Sequence, residues 1–383
     1  MRVKDMKKIY TGTVIAVIAL CLSTFITGCT MKSGASLLSS STALSSVTQG
    51  TSSSEIASGT SNSADDSSPS STTDASVIPN DSDGIPDKAF YQAILTTAVG
   101  ENEIVDKNKD GILQRSETSR IPKVVNWNNK GIQSIQGIEN LPILEVHLNG
   151  NKISDISPIA KLSGKIKTGG EPLNVELREN HITSIKSFGT LMAKSKSPHI
   201  ESLDLSNNSV SDISSIADIS IKKIILNHNQ IATVGRFLSD NQCFFLDLSY
   251  NQIPSLGDCK LMAYSVNLSH DKISTIQSFS SSVEELNLSE NELKDVSFLK
   301  GVKEPGPSKL NLSNNKLSYL PDMKNWGWTN LKPDKDGEEY MVRFEGNHLS
   351  RNELQTKLPT EFFSKIGVSS GGSERWLDNQ AAK

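Results

Sequence analysis

Apolar residues recur along this chain in one fixed figure: two aliphatic residues flanking a variable one, an Asn three positions later, and two more aliphatics two and five positions beyond it. Written L-x-L-x-x-N-x-I-x-x-I, the figure fits segments 146–151, 175–180, 203–208, 224–229, 246–251, 266–271, 286–291, 310–315 and 342–347 at its strand-and-Asn part. A degenerate copy at 125–130 precedes them, with Lys130 in the Asn slot, and Asp271 departs from that slot once more. Successive slots lie 29, 28, 21, 22, 20, 20, 24 and 32 residues apart, a period of about 20–22 with insertions. The alternation predicts a short strand whose outer pair points inward and whose middle residue points out. An Asn at the strand's end can turn inward and satisfy buried backbone groups, which otherwise cost about 1–3 kcal/mol each. Coils that touch only their neighbours stack into an α/β solenoid, with a curved parallel sheet roughly 40 Å along its inner face at about 4.8 Å per strand. Leu354, Leu358, Phe362, Phe363, Ile366 and Trp376 are placed to cover its open end. Trp326 and Trp328, in the longest insertion, are expected to pack over the last coil, the alternative being an exposed contact.

This figure is identified as a leucine-rich repeat, and the expected fold is a leucine-rich-repeat horseshoe with a small helical cap and a disordered N-terminal tether. The phrase at 151–159, Asn-Lys-Ile-Ser-Asp-Ile-Ser-Pro-Ile, resembles the internalin-type repeat of Gram-positive bacteria, with weaker echoes at Ser211-Asp212-Ile213 and Asp295-Val296. The resemblance spans about residues 85–350 and implies a cell-surface module that contacts a partner through its concave face, in well-known members an adhesin. Two features of many such proteins, an immunoglobulin-like domain and a wall-sorting tail, are not legible here.

The chain before the repeats reads differently. Arg2, Lys4, Lys7 and Lys8 precede an apolar run over about 14–26, short for a membrane span of about 20 residues and typical of a signal peptide covering 1–28. The run ends in Ile26-Thr27-Gly28-Cys29, which resembles the bacterial lipobox; the resemblance implies that Cys29 takes a diacylglycerol after cleavage. The implied location is the outer face of the cell membrane. Residues 29–84 are rich in Ser and Thr and too poor in apolar residues to offset backbone ordering, so they read as a tether with an end-to-end distance of about 40 Å.

A small cap is expected at 85–124. Within it, Asp106, Asn108, Asp110, Gly111, Ile112, Gln114 and Glu117 fall at the offsets of a twelve-residue EF-hand loop, where hard oxygens, including the Ile112 carbonyl, would hold a structural Ca2+. An entering helix over about 87–105, weakened by Gly100, and an exiting helix from near Gln114 complete that expectation.

Composition narrows the function. A formal net charge of −4, becoming −7 without residues 1–28, offers no basic footprint for nucleic acid. Four cysteines are too few for a disulfide scaffold; Cys243 and Cys259 read either as a bridge or as two buried thiols. No nucleophile elbow, zinc-protease motif or phosphate loop occurs, so catalysis has no sequence support and the expected activity is binding. The outward positions predict two partner-binding patches: Glu145, His147, Glu176, Arg178, Asp204, Ile225 and Phe245 in one, Met341 and Arg343 in the other. Each residue also has the plain reading of a solvated strand face. The expected partner is an extracellular or envelope protein or peptide, the alternative being an envelope scaffold or a wall-glycan-binding structural lipoprotein.

Overall fold

The computed structural model describes residues 76–165, 171–194, 200–219, 221–240, 243–260, 262–279, 282–301, 307, 309–323 and 342–358. The segment carrying Cys29, the tether up to residue 75, Trp326, Trp328, Met341, Phe362, Phe363, Ile366 and Trp376 lie outside the described residues.

Ten parallel strands, one from each predicted coil, form a single sheet in strict chain order: Val124–Asn126, Glu145–His147, Leu173–Glu176, Ile200–Asp204, Lys223–Ile225, Phe245–Asp247, Met262–Asn267, Ser282–Asn287, Lys309–Asn311 and Val342–Arg343. Template positions lie opposite one another throughout, as in Val146↔Val175, Leu203↔Ile224 and Leu286↔Leu310. Both inward residues of every strand are buried, from Val125 and Trp127 to Val342 and Phe344, which makes one continuous aliphatic core.

Beneath the strand ends runs a ladder of asparagines. Asn180 Nδ2 donates to the carbonyls of Leu177 in its own coil and Leu148 in the preceding one, both at 3.0 Å, while its Oδ1 accepts from Ile153 N–H at 3.0 Å. Asn208, Asn229, Asn251, Asn291, Asn315 and Asn347 repeat the two-carbonyl pattern. Coil one has Lys130 in this slot, and Asn151 of the next coil accepts from both Lys130 and Ile132 N–H and donates to Trp127 O. One residue ahead of each slot the backbone is left-handed, at Asn129, Gly150, Glu179, Asn207, His228, Tyr250, His270, Glu290, Asn314 and Gly346. Two of these ten are glycine, and a Cβ on Gly150 or Gly346 would displace the side-chain oxygen of Asn129 or Asn314.

Coil length sets the convex side. The 29- and 28-residue coils carry the helices Ser157–Lys165 and Lys186–Lys194, whereas the two 20-residue coils carry the parallel strands Ser255–Cys259 and Thr275–Phe279. Nine helical residues advance about 14 Å and five extended ones about 16 Å, so both options close the loop over a similar distance.

The cap differs from its expectation. Its helix is Lys88–Leu95 and stops a turn and more before Gly100, since Ala98–Gly100 folds back on Glu103–Ile104 through the left-handed Asn102. No helix leaves at Gln114: Leu113–Gln114 pairs antiparallel with Val77–Ile78, and a single 3-10 turn follows at Glu117–Arg120. The cap therefore begins well before residue 85, and residues 76–84 belong to it rather than to the tether. Asp87 joins it to the repeats, with one carboxylate oxygen capping Phe90 N–H and the other accepting from Gln133 and Ser134 N–H. Trp127, in the place of an inward leucine, lies edge-on to Phe90 at 5.3 Å and donates to Thr97 Oγ1. At the far end, Leu354 and Leu358 are fully buried by the helix Arg351–Lys357, which starts in a Ser350/Glu353 capping box. Cys243 and Cys259 are buried thiols with no disulfide between them, pushed up to about 12 by burial.

Asp271 is the irregular rung. Its Oδ1 accepts from Asn251 and Ile253 N–H, but its buried Oδ2 has no partner among the described residues where an asparagine would present an N–H to carbonyls. Burial pushes this carboxyl up to about 7 against the pull of those two amides, and the Asp247 charge adds to the rise. A folded-state value above the ordinary 3.8 means the folded form binds its proton more tightly, so this contribution to stability is complete below that value and is lost as pH rises through about 7. Asp271→Asn is expected to raise the melting temperature at pH 8 and to flatten its dependence between pH 4 and 8 on this group's account; equal melting curves for both proteins at pH 8 would refute the assignment.

Candidate functional site

The outward face of the sheet carries two adjoining columns, the middle strand residue and the residue two positions on. In the C-terminal half they close on each other. Asn267, Asn287 and Asn311 each accept from the backbone N–H and the hydroxyl of Ser269, Ser289 and Ser313 in turn. Asp204 with Ser206 and Asp247 with Ser249 make the same closed pairs further back. These side chains have used much of their hydrogen-bonding capacity within the protein.

The N-terminal half is richer in charge. His147 sits between Glu145 and Glu176, with Nε2 2.9 Å from one carboxylate and Nδ1 2.9 Å from the other. Burial opposes its charge, but hydrogen bonds to Glu176 and Glu145 outweigh that and hold the imidazole above its ordinary value. Glu176 also accepts from Asn149 Nδ2 at 2.7 Å and is held below its ordinary value by Asn149 and His147 despite burial. Arg178 Nε lies 3.7 Å from Asp204. Of the predicted residues, Glu145, His147 and Glu176 thus form one run of contacts and Arg178 and Asp204 a second, the two bridged by Asn149, which donates to Glu176 and accepts from Arg178 N–H; half-buried Ile225 lies beside Asp204 on the neighbouring strand. Arg343, at the opposite end of the sheet, pairs with Glu345.

Two further features lie along the sheet's edges. Where the strands enter, a groove of about 980 Å³ is lined by Val124, Phe244, Phe245, Tyr264, Lys223 and Glu145 among others. Phe244 and Tyr264 occupy the same position in successive coils and stack with centroids 5.1 Å apart at 9°. The Lys223 ammonium stands 5.7 Å over the Phe245 ring. Where the strands leave, His228, Tyr250 and His270 stack in series at 4.2 and 4.1 Å, nearly parallel. Of these aromatic residues the sequence reading named only Phe245. The others were findable by register, since the three stacked rings share the left-handed slot at spacings of 22 and 20 residues.

The EF-hand-like loop is partly organised for a hard cation. Asp106 is buried, with Oδ2 accepting from Gly111 N–H and Oδ1 unpartnered among the described residues. Asp110 accepts from Ile112 N–H and from the amides of Asn108 and Gln114, and these hydrogen bonds, the backbone one first, hold it below its ordinary value. Glu117 is turned differently from a chelating ligand, its two oxygens accepting from Lys107 and Gln114 N–H. Among the described residues no three carboxylate, His or Cys side chains are gathered closely enough to hold an ion. Asp106 Oδ1 is the one donor that fits as it stands.

A family profile described as Leucine Rich repeat matches residues 196–213. Lumican of Bos taurus is 23% identical over 304 residues, covering 76% of this chain and 75% of lumican. Internalin C2 of Listeria monocytogenes is 20% identical with a TM-score of 0.40, covering 64% of this chain and 91% of its own, and internalin F of the same organism is 19% identical with a TM-score of 0.33 over 74% and 93%. At those scores the fold assignment rests on this chain's own geometry: ten parallel strands in sequential order over an asparagine ladder make it, by fold, a leucine-rich-repeat protein.

Proposed function

We propose that the chain is an exported, lipid-anchored binding module whose concave sheet engages an extracellular or envelope protein or peptide, as leucine-rich-repeat proteins in general bind proteins. The observation that carries this reading is the uneven chemistry of the sheet: closed Ser/Asn pairs in the C-terminal half, and in the other Glu145, His147 and Glu176 in contact and Arg178 reaching Asp204, bordered by the rings of Phe244, Phe245 and Tyr264. Arg and aromatic side chains are the usual anchors of an interface. Adhesion is one form such binding takes. Replacing His147, Glu176 and Arg178 together by Ala is expected to weaken the retained partner at least about tenfold while the melting temperature barely moves. The assay is a pull-down against extracellular proteins and, in parallel, against purified wall polymer; retention by wall polymer alone would replace this reading with that of a glycan-binding envelope scaffold.

Membrane attachment rests on the Ile26-Thr27-Gly28-Cys29 sequence after the apolar run. Cys29→Ser is expected to move the protein from the membrane fraction to the medium or soluble fraction, and an unchanged distribution would remove the anchor from this proposal.

Calcium is a structural ligand in this reading, supported by the unpartnered, buried Asp106 Oδ1. Asp106, Asn108, Asp110, the Ile112 carbonyl, Gln114 and Glu117 would hold it. Bound there, the ion would neutralise the carboxylates drawn onto it and fix the loop. Glu117 would first have to release the Lys107 and Gln114 amides it now accepts from. Chelator is expected to lower the melting temperature and added calcium to restore it, with Glu117→Gln losing that increment; a melting temperature indifferent to both reagents counts against the ion.

A further inference from the structure

The groove at the strand-entry edge has a specific charge and shape that the run of charged residues on the sheet does not share. Phe244 and Val124 are among the most exposed large apolar side chains described, at 46% and 56%, and both line it. Phe244 stacks against Tyr264 of the next coil, and Phe245, one residue on, also lines the groove and lies under the Lys223 ammonium. Around them the charges are matched: Lys123 pairs with Glu171 at 3.0 Å, Lys222 with Glu201 at 3.2 Å, and Lys309 with the lining residue Glu285 at 3.3 Å. Glu145 is held by His147. Lys223 is the exception, exposed and directed over Phe245, with no carboxylate partner among the described residues.

An unpaired ammonium beside exposed rings, within a rim whose other charges are neutralised in pairs, selects for one carboxylate next to one apolar group. A strongly acidic partner would gain little, because the protein is itself acidic and the remaining lysines are engaged. A wholly apolar one would leave Lys223 without an anion. An extended peptide satisfies the geometry, since it can lie along the open edge and place consecutive side chains in separate sites.

We propose that this groove docks an extended peptide segment of the partner carrying a Phe, Tyr, Leu or Ile next to an Asp or Glu, the apolar side chain against Phe244, Tyr264 and Phe245 and the carboxylate on Lys223. The proposal rests on the reading of the concave face as a protein-binding surface and adds to it which edge is used and what chemistry is read. Desolvated aromatic contact supplies the affinity, and the ammonium fixes the order of the two side chains.

The test is selection from a random heptapeptide library displayed on phage, panned against the full chain and three variants of it: Lys223→Glu, the Phe244→Ala/Tyr264→Ala pair, and the His147/Glu176/Arg178 triple alanine variant. Enrichment of an apolar residue beside Asp or Glu is expected on the parent chain, conversion of that preference to Lys or Arg on Lys223→Glu, and at least about tenfold weaker binding of the consensus peptide to the ring variant by calorimetry. Lys223 is exposed and unpaired, so its charge reversal keeps the test informative even where removal of two rings unsettles the fold. Enriched sequences without a carboxylate, or unchanged by Lys223→Glu, overturn the proposal, as does the absence of any enrichment. Enrichment that survives both groove variants but disappears with the triple variant also overturns it, while leaving the wider concave-face reading in place.

Discussion

The end of each strand is where this fold is decided. A coil must turn sharply there, and the turn buries carbonyl and N–H groups that no strand partner can reach. In every coil but those of Lys130 and Asp271 one amide side chain resolves this: its two donors serve carbonyls of two neighbouring coils and its oxygen serves an N–H of the coil before, as at Asn180, Asn208 and Asn315. A missing partner would cost about 1–3 kcal/mol, and the nine inward-turned side chains couple ten coils in series. The left-handed residue just before each slot is the geometric companion of that turn, and its N–H donates to the next coil, as His228 does to Ser249 O and Tyr250 to Ser269 O. Stability and surface are therefore tied together, because the corner that seals the core also projects one side chain per coil along the edge of the sheet.

That coupling explains the ring stack. Tyr250 is a poor residue for a left-handed backbone, which costs an ordinary side chain about 1–2 kcal/mol, whereas His228 and His270 are of a type that enters it more readily. Held there by the ladder, consecutive rings stand about one coil spacing apart and stack at 4.1–4.2 Å. Stacking of this kind is worth about 0.5–1.5 kcal/mol beyond burial, which offsets part of the backbone cost. Where the side chain is too close to a neighbour, as at Gly150 against Asn129, glycine takes over.

The repeat was legible in sequence because each template position has a single physical duty, and a residue performing it is recognisable by type and spacing alone. Ten coils and their register followed from that. The convex elements were not legible, because an insertion fixes only how much chain must be accommodated: nine helical residues and five extended ones bridge a similar gap. The cap misled for a different reason. Its apolar residues at 90, 94 and 95 continue into Val99, Ile104 and Val105 at spacings compatible with a helix, yet Asn102 adopts a left-handed turn and the chain doubles back. Similarly, Gln114 lies in a pattern read as a calcium-loop helix start but pairs with Val77–Ile78, a contact across more than thirty residues that no local window contains. On the surface, Glu145, His147, Glu176, Arg178 and Asp204 were found because they lie in the outward column that alternation identifies. Phe244 and Tyr264 were missed because they stand at the strand entrances, where alternation no longer says which way a side chain faces, whereas Lys223 shares the row of Phe245 and was open to the same alternation.

Specific recognition on such a sheet is pushed toward its edges by the same economy that builds it. In the middle columns a short acceptor finds a Ser two residues on, and the pair closes locally, as in Asn287–Ser289 and Asp247–Ser249. A partner hydrogen-bonding there must compete with a bond already made, so its net gain is small. The edges lack that local closure. At the strand entrances the side chains are long or aromatic and reach beyond the sheet, and at the exits the left-handed corner lifts them away from it. Coils whose middle columns look alike thus differ most where the chain enters and leaves the strand, and a solenoid with a uniform interior acquires an individual surface through the residues that its backbone corners hold outward.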